Sequence, residues 1–437
     1  MMRLAAILAT VVALACGAQA AVRTLDAVKG AQVWYAEDHT VPVVALTASF
    51  PAGSIYDPYG KAGTATYAAG LLDEGAGNLD FLAFQAALAD HGIELSVTPG
   101  RDSMTITLIT LSSNVREAFR LLGLALAHPR FDPDAMARVR VEMLQDIEQD
   151  RGDPEAVAEK AYYSLFFGPY SYGRPIDGDP ASLVAVSQQD LRAFVRSHWV
   201  RGGLKIALTG DIDPLAAAAV LRAAFGSLPP DAPPEPAAPP RIGAPGLHVF
   251  PMLVSQPAVL FGLPGLKRGN PDYLAAMIAN YILGGGENAR LGAELREKRG
   301  LTYDVSTDLV PYRGVGMLLG ETSSRREAVR QAIAAIRDTM RRFATDGPTD
   351  DEIADAKAYL NGSFPRAFTT NAGLSAQLNE LQQEGLPLDY LEKRSRLIDA
   401  VSADDVRRAA RRYFDPAKLT VVVAGSIPQE RRPYSEP

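Results

Sequence analysis

Two stretches of the chain are short, β-branched and almost wholly apolar: residues 41–50 (VPVVALTASF) and 256–263 (QPAVLFGL). Such runs predict strands. Each is followed by a Gly/Pro turn and then by apolar positions at helical spacing, over 62–72 in one case and 271–283 in the other. The same spacing predicts amphipathic helices over 115–127, 133–149 and 154–166, and again over 327–343, 350–361 and 371–384. Asp132-Pro133, Asp153-Pro154 and Thr349-Asp350 supply helix-start signals.

The two series read as copies of one unit. Within residues 187–214 and 402–428, 27 positions align without gaps at a constant offset of 215. Ser187 meets Ser402, Asp190 meets Asp405, Arg192 meets Arg407, Trp199 meets Phe414 and Gly210 meets Gly425. Both segments predict a helix, a turn and a short buried strand ending in glycine. Chance likeness of two helix–strand units is the plain alternative; an ungapped register of this length favours duplication. The expected fold class is α+β: two homologous domains, each a mostly antiparallel sheet with helices packed on one face.

Residues 229–245 (PPDAPPEPAAPPRIGAP) form a Pro-rich linker that divides the chain into a first domain over 21–228 and a second over 246–437. Residues 1–20 predict a signal peptide: Arg3, an apolar stretch from Leu4 to Ala15, and the small-x-small site Ala18-Gln19-Ala20. Periplasmic or secreted placement follows, with lipidation at Cys16 as the competing reading. Cys16 is the sole cysteine. Cleavage after Ala20 would leave no thiol for a disulfide or a cysteine zinc site. A formal charge of -7 with no long basic run gives no sign of nucleic acid as a partner.

The stretch 284–306 (GGGENARLGAELREKRGLTYDVS) is the richest in local signals. Gly284, Gly285 and Gly286 predict a flexible loop where backbone approaches another chain closely. Residues 287–299 predict a helix with Leu291 and Leu295 on one face, Gly300 at its C′ position and Leu301 as the following apolar contact. Tyr303 then begins a strand.

This stretch resembles the second-domain signature of the insulinase/pitrilysin (inverzincin) zinc peptidases, a family that includes mitochondrial processing peptidase and bacterial two-domain homologues. The resemblance implies that Arg296 and Tyr303, with the glycine-rich segment, bind substrate near the scissile peptide. The residue types suit that role. Guanidinium and phenol donors aimed at a carbonyl stabilise a developing oxyanion by about 3–4 kcal/mol per donor at best. The plainer reading of the same residues is a surface ion pair for Arg296 and core packing for Tyr303.

Active relatives carry H-x-x-E-H on a first-domain helix, where two histidines hold zinc and the glutamate activates water. By the resemblance, that slot falls on Thr66-Tyr67-Ala68-Ala69-Gly70. Thr66 and Gly70 replace the histidines, and Ala69 replaces the general base. Asp146 stands near the place of the third ligand, and reads equally as an acid on a solvated helix face. One carboxylate cannot hold a three-ligand zinc. No two of the five histidines lie within ten residues. Asp73-Glu74 suits calcium or magnesium better than zinc, and neighbouring residues on a helix diverge. Residues 407–412 (RRAARR) read as a solvated helix face.

The expected function is therefore a non-catalytic subunit with no metal of its own. It would supply Arg296 and Tyr303 to a homologous zinc-bearing chain that hydrolyses peptides or unfolded segments. A non-proteolytic scaffold, and an independent peptidase with unusual ligands, are the alternatives.

Overall fold

The computed structural model describes residues 22–233, 235–236, 242–364 and 368–427. The expected leader, Cys16 and part of the Pro-rich linker lie outside the described residues.

In the first half, strands β1 (Arg23–Thr24), β2 (Gln32–Glu37) and β3 (Val43–Phe50) precede helices α1 (Thr64–Gly70) and α2 (Phe81–Asp90). A hairpin of β4 (Glu94–Pro99) and β5 (Met104–Leu111) follows. Helices α3 (Val115–Ala127), α4 (Pro133–Asp150), α5 (Pro154–Phe167), α6 (Pro180–Ala185) and α7 (Gln188–His198) lead to β6 (Lys205–Gly210) and α8 (Pro214–Phe225). The second half contains β7 (Gly246–Phe250), β8 (Ala258–Gly265) and α9 (Tyr273–Asn280). Next come α10 (Arg290–Gly292), β9 (Thr302–Pro311) and β10 (Gly316–Ser324). Helices α11 (Val329–Asp346), α12 (Asp350–Ser363), α13 (Asn371–Gln383), α14 (Tyr390–Asp399) and α15 (Ala403–Tyr413) precede β11 (Thr420–Ala424).

The offset of 215 holds in three dimensions. Adding it to β3 gives residues 258–265, which are β8; adding it to α7 gives 403–413, which are α15. The sheets run β1-β2-β6-β3-β5-β4 and β7-β11-β8-β10-β9. Only β2–β6 and β7–β11 pair in parallel; the other registers are antiparallel. The α+β expectation holds, with one addition: a helix from the opposite half packs on the other face of each sheet.

Helix α5 of the first half packs on β8 and β11, and α13 of the second half packs on β3 and β6. Residues 154–167 plus 215 are 369–382, so these two helices are counterparts. Their chemistry differs. The α5 contact is aromatic: Tyr162, Tyr163, Phe166 and Phe167 cluster with Leu260, Met317 and Val422. Gly262 leaves room for the Tyr162 hydroxyl, where a Cβ would clash. On α13 the buried face is mixed: Leu378 and Leu381 cluster with Trp34, Ala207 and Tyr390, and a polar stripe runs beside them. The Asn379 amide donates to Thr47 O and Lys205 O, and the Gln382 amide to Gln32 O and Ile206 O. Each buried aromatic is worth roughly 1.5–3 kcal/mol, against ~1 kcal/mol net for a hydrogen bond, so apolar burial is a large part of the tie at both contacts. Among the described residues no helix is long and apolar enough to cross a membrane.

Candidate functional site

Helix α1 carries the slot, and it is shorter than residues 62–72 because Gly63 adopts φ +89° immediately before it. The Asp57 carboxylate anchors this start, accepting from Gly63 N–H at 2.7 Å and Ala65 N–H at 2.8 Å. Burial pushes the Asp57 carboxyl up to about 7, against the pull of those N–H groups. Within α1 the slot positions Tyr67, Ala68 and Ala69 are buried, Thr66 is half-buried and Gly70 is exposed. The Thr66 hydroxyl donates to Ile176 O at 2.8 Å. Ala69 is 2% exposed. Gly70 lies at the surface, where a Cβ would meet Val139 Cγ1 at 3.2 Å. Asp146 is exposed on α4, as the solvated-face reading expects. Glu74 ion-pairs with Arg138 and Asp73 accepts from Gln85, so the two carboxylates diverge.

This donor set does not fit zinc. Ala69 and Gly70 have no ligand atom, and the one hydroxyl is committed to a backbone carbonyl. Among the described residues, no group of three His, Cys, Asp or Glu could hold a metal ion.

The second half places a different structure at the corresponding positions. Adding 215 to 66, 69 and 70 gives Tyr281, Gly284 and Gly285. Helix α9 widens there into a π-helical turn, Tyr281–Gly285. The glycine-rich loop expected from sequence is therefore, for Gly284 and Gly285, a helical turn. Its glycines serve packing within the chain. A Cβ on Gly284 would stand 2.8 Å from Thr307 Cγ2, and one on Gly286 would stand 2.8 Å from the Tyr281 ring. Asn280 and Thr307 lock this turn to β9. The Asn280 amide donates to Thr307 O at 2.9 Å, and the Thr307 hydroxyl donates to Asn280 Oδ1 at 2.8 Å. Sequence reasoning missed this pair, since a lone Asn and Thr 27 residues apart carry no pattern.

The motif helix begins three residues later than residue 287, at Arg290, and α10 runs straight into a π-helical turn, Ala293–Lys298. Leu291 and Leu295 are buried as expected. Gly300 takes φ +57° and ends the helix. Its N–H donates to Arg296 O at 3.2 Å, and Leu301 N–H donates to Leu295 O at 2.8 Å. That closure is one residue wider than a usual glycine cap, because the last turn is π-helical.

The motif's charges divide into two sets. Arg290 grips Glu352 through two bonds of 2.7 Å and donates to Gly347 O. Glu294, buried, accepts from Arg299 at 2.6 Å and lies 3.7 Å from Arg342. These hold the fold. Among the described residues Arg296 ion-pairs only with its neighbour Glu297, at 3.3 Å, with 46% of its side chain exposed. Tyr303, second residue of β9, is 90% exposed. Core packing is thus excluded for Tyr303. The slot and the Arg296–Tyr303 pair stand in different halves and do not form one cluster.

Residues 32–179 match the family model for insulinase (peptidase family M16), and residues 185–360 match that for the peptidase M16 inactive domain. The chain belongs to the M16 insulinase family. Among M16 relatives, it is 30% identical to an uncharacterized zinc protease of Streptomyces coelicolor, over 62% of this chain. That match spans 61% of the Streptomyces protein, less than two thirds of its length. Identity to the non-peptidase homolog YmxG of Helicobacter pylori is 24%, over 95% of this chain and 97% of that one. A solved peptidase M16 inactive domain from Pseudomonas fluorescens shares the fold at a TM-score of 0.88 and 28% identity, covering 94% of this chain and 99% of that chain. The inactive-domain matches and the non-peptidase homolog support a non-catalytic M16-like protein.

Proposed function

We propose that this chain is the zinc-less subunit of an exported two-chain M16 peptidase, presenting Arg296 and Tyr303 to a peptide that a homologous zinc-bearing chain cleaves. The exposure of that pair carries the reading. A phenol 90% exposed and a half-exposed guanidinium paired with its neighbour Glu297 are both unused by this chain's own core. Together they offer fixed donors to a peptide carbonyl. Homologous subunits pair in mitochondrial processing peptidase, which the sequence resembles, and the leader-like residues 1–20 support export.

Co-purification should recover a homologue bearing H-x-x-E-H. In that complex Arg296→Ala should lower kcat by about 10²–10³, the usual loss for one oxyanion donor, while assembly is unchanged. Tyr303→Phe should act in the same direction. Full activity in both variants would remove the substrate-clamp role.

A scaffold role without proteolysis has one observation in its favour. Gly284 and Gly286 are explained by contacts to Thr307 and Tyr281, so the glycine-rich turn needs no partner chain to account for it. A partner lacking any zinc motif would favour this second reading.

A further inference from the structure

In the first half Val33 and Tyr35 of β2 stand opposite Ile206 and Leu208. In the second half Leu247 and Val249 of β7 stand opposite Val421 and Val423, the counterparts of that pair at offset 215. Val421 and Val423 share a core cluster with α11, so Leu247 and Val249 lie on the α11 face of the sheet. Their burial differs from that of their counterparts. Val33 and Tyr35 are 4% and 0% exposed, in one cluster with Ala217, Val220, Leu221 and Phe225 of α8. Leu247 and Val249 are 44% and 41% exposed. Among the described residues no counterpart of α8 covers them, since adding 215 to its start gives 429, beyond Ile427. In sequence, residues 429–437 (QERRPYSEP) lack the apolar run of α8.

Helix α8 packs along α3. Gly123 lets it approach: a Cβ there would stand 2.9 Å from Ala224 Cα. Counted from the helix starts at Val115 and Val329, the same place on α11 is Arg337. After α8 the chain is held by Arg201 and Gly202, whose N–H groups donate to Pro229 O and Asp231 O. Their counterparts, Pro416 and Ala417, line an open cavity of about 770 Å³ with Arg337, Arg341 and Arg411. A second cavity, about 540 Å³, lies just before α11 and is lined by Leu253, Arg325, Arg326 and Glu327. Where the first half has a helix, the second has a trough. Its charge is one-sided. Arg325, Arg326, Arg337 and Arg411 have no ion pair among the described residues. Asp338 is taken by Arg341 and Arg342, and Asp415 caps the turn that follows it. An arginine stem lying over a core is the plain reading of Arg337. It does not account for two apolar side chains left in water on the same face.

We propose that this trough docks an acidic amphipathic helix of a partner protein, with its apolar face on Leu247 and Val249 and its carboxylates toward Arg337 and Arg411. Helix α8 shows that the fold accepts a helix at this place, and the arginines select its charge. The proposal is independent of the Arg296–Tyr303 reading.

The test uses the full chain and labelled synthetic peptides, read by fluorescence anisotropy. One peptide is an amphipathic helix with leucine and alanine on one face and glutamate on the other. Its control carries lysine in place of each glutamate. The acidic peptide should bind saturably, and the lysine peptide at least about tenfold more weakly. Leu247→Thr with Val249→Thr, and separately Arg337→Gln with Arg411→Gln, should each weaken the acidic peptide at least about tenfold. Thermal unfolding checks that both pairs fold. A photoreactive benzoylphenylalanine in place of Val249 gives a readout that needs neither pair: light should join it to the acidic peptide. No saturable binding at millimolar peptide, equal binding of the lysine peptide, or binding indifferent to both pairs would overturn the proposal. So would a cross-link from position 249 to residues 429–437 or to a second copy that persists with peptide present, since either would assign the trough to that occupant.

Discussion

Helix α1 and the turn Tyr281–Gly285 stand at the same place in two copies of one unit, and they have been put to opposite uses. In α1 the slot residues turn inward or carry nothing: Thr66 bonds to Ile176 O, and Ala69 is buried. In the second copy the equivalent glycines let a widened helix close against Thr307, and the segment that follows projects Arg296 and Tyr303 outward. One half has lost the means to hold a metal. The other keeps donors that its own fold does not consume. The difference teaches that chemistry and reach can be separated between duplicated domains without disturbing the sheets beneath them.

The sharpest way to break the comparison is to add a methyl group to one glycine in each copy, Gly284 and Gly70. Gly284→Ala drives a Cβ into Thr307 and should destabilise the chain by about 2–3 kcal/mol in urea unfolding, the usual cost of overpacking. Gly70→Ala meets only Val139 Cγ1 at 3.2 Å, and its better helix propensity offsets that. Equal effects in the two variants would show that the glycine turn is not packed as described.

A smaller effect separates the arginines of the motif. Arg290→Ala breaks a two-bond ion pair to Glu352 and should cost about 1.5–3 kcal/mol. Arg296→Ala removes an exposed pair with Glu297 and should change stability by less than about 1 kcal/mol. A large loss of stability in Arg296→Ala would return that residue to a structural role.

A further comparison concerns an acid sensitivity that His198 brings to the first half. Burial between Tyr56 and Phe194 pushes His198 down to about 4. Its counterpart at offset 215 is Tyr413, which has no charge change in that range. The folded state therefore holds fewer protons than the unfolded chain between the ordinary histidine value and 4. The His198 contribution should be full above about pH 6.5 and be lost as the pH drops toward 4, opposed over the same range by Asp57, whose raised carboxyl takes up a proton on folding. His198→Phe should therefore raise stability near pH 4 relative to pH 7; an unchanged slope between those values would place the titration elsewhere.

Much of this was legible in sequence because it is local. The strands 41–50 and 256–263, the capped helices after Asp153 and Thr349, and the glycine end at Gly300 each follow from a few neighbouring residues. The duplication was readable from the α7–β6 segment, and the empty slot from residues 66–70 once the family resemblance had placed it there. What was not legible depends on contacts across the chain. Nothing in α5 or α13 announces that each covers the other half's sheet, since an amphipathic helix specifies a face and not a partner. The π-helical turns also escaped, because good helix formers such as Glu294 and Leu295 suit either winding. The fate of individual arginines was hidden for the same reason: Arg290 and Arg296 look alike until Glu352 and solvent are placed beside them.

The most direct test is made on the purified chain by itself. Zinc content and cleavage of an unstructured peptide, with and without a chelator, are measured on the same preparation. Far less than one zinc per chain and no chelator-sensitive turnover are expected. One tightly held zinc per chain with chelator-sensitive cleavage would contradict the account.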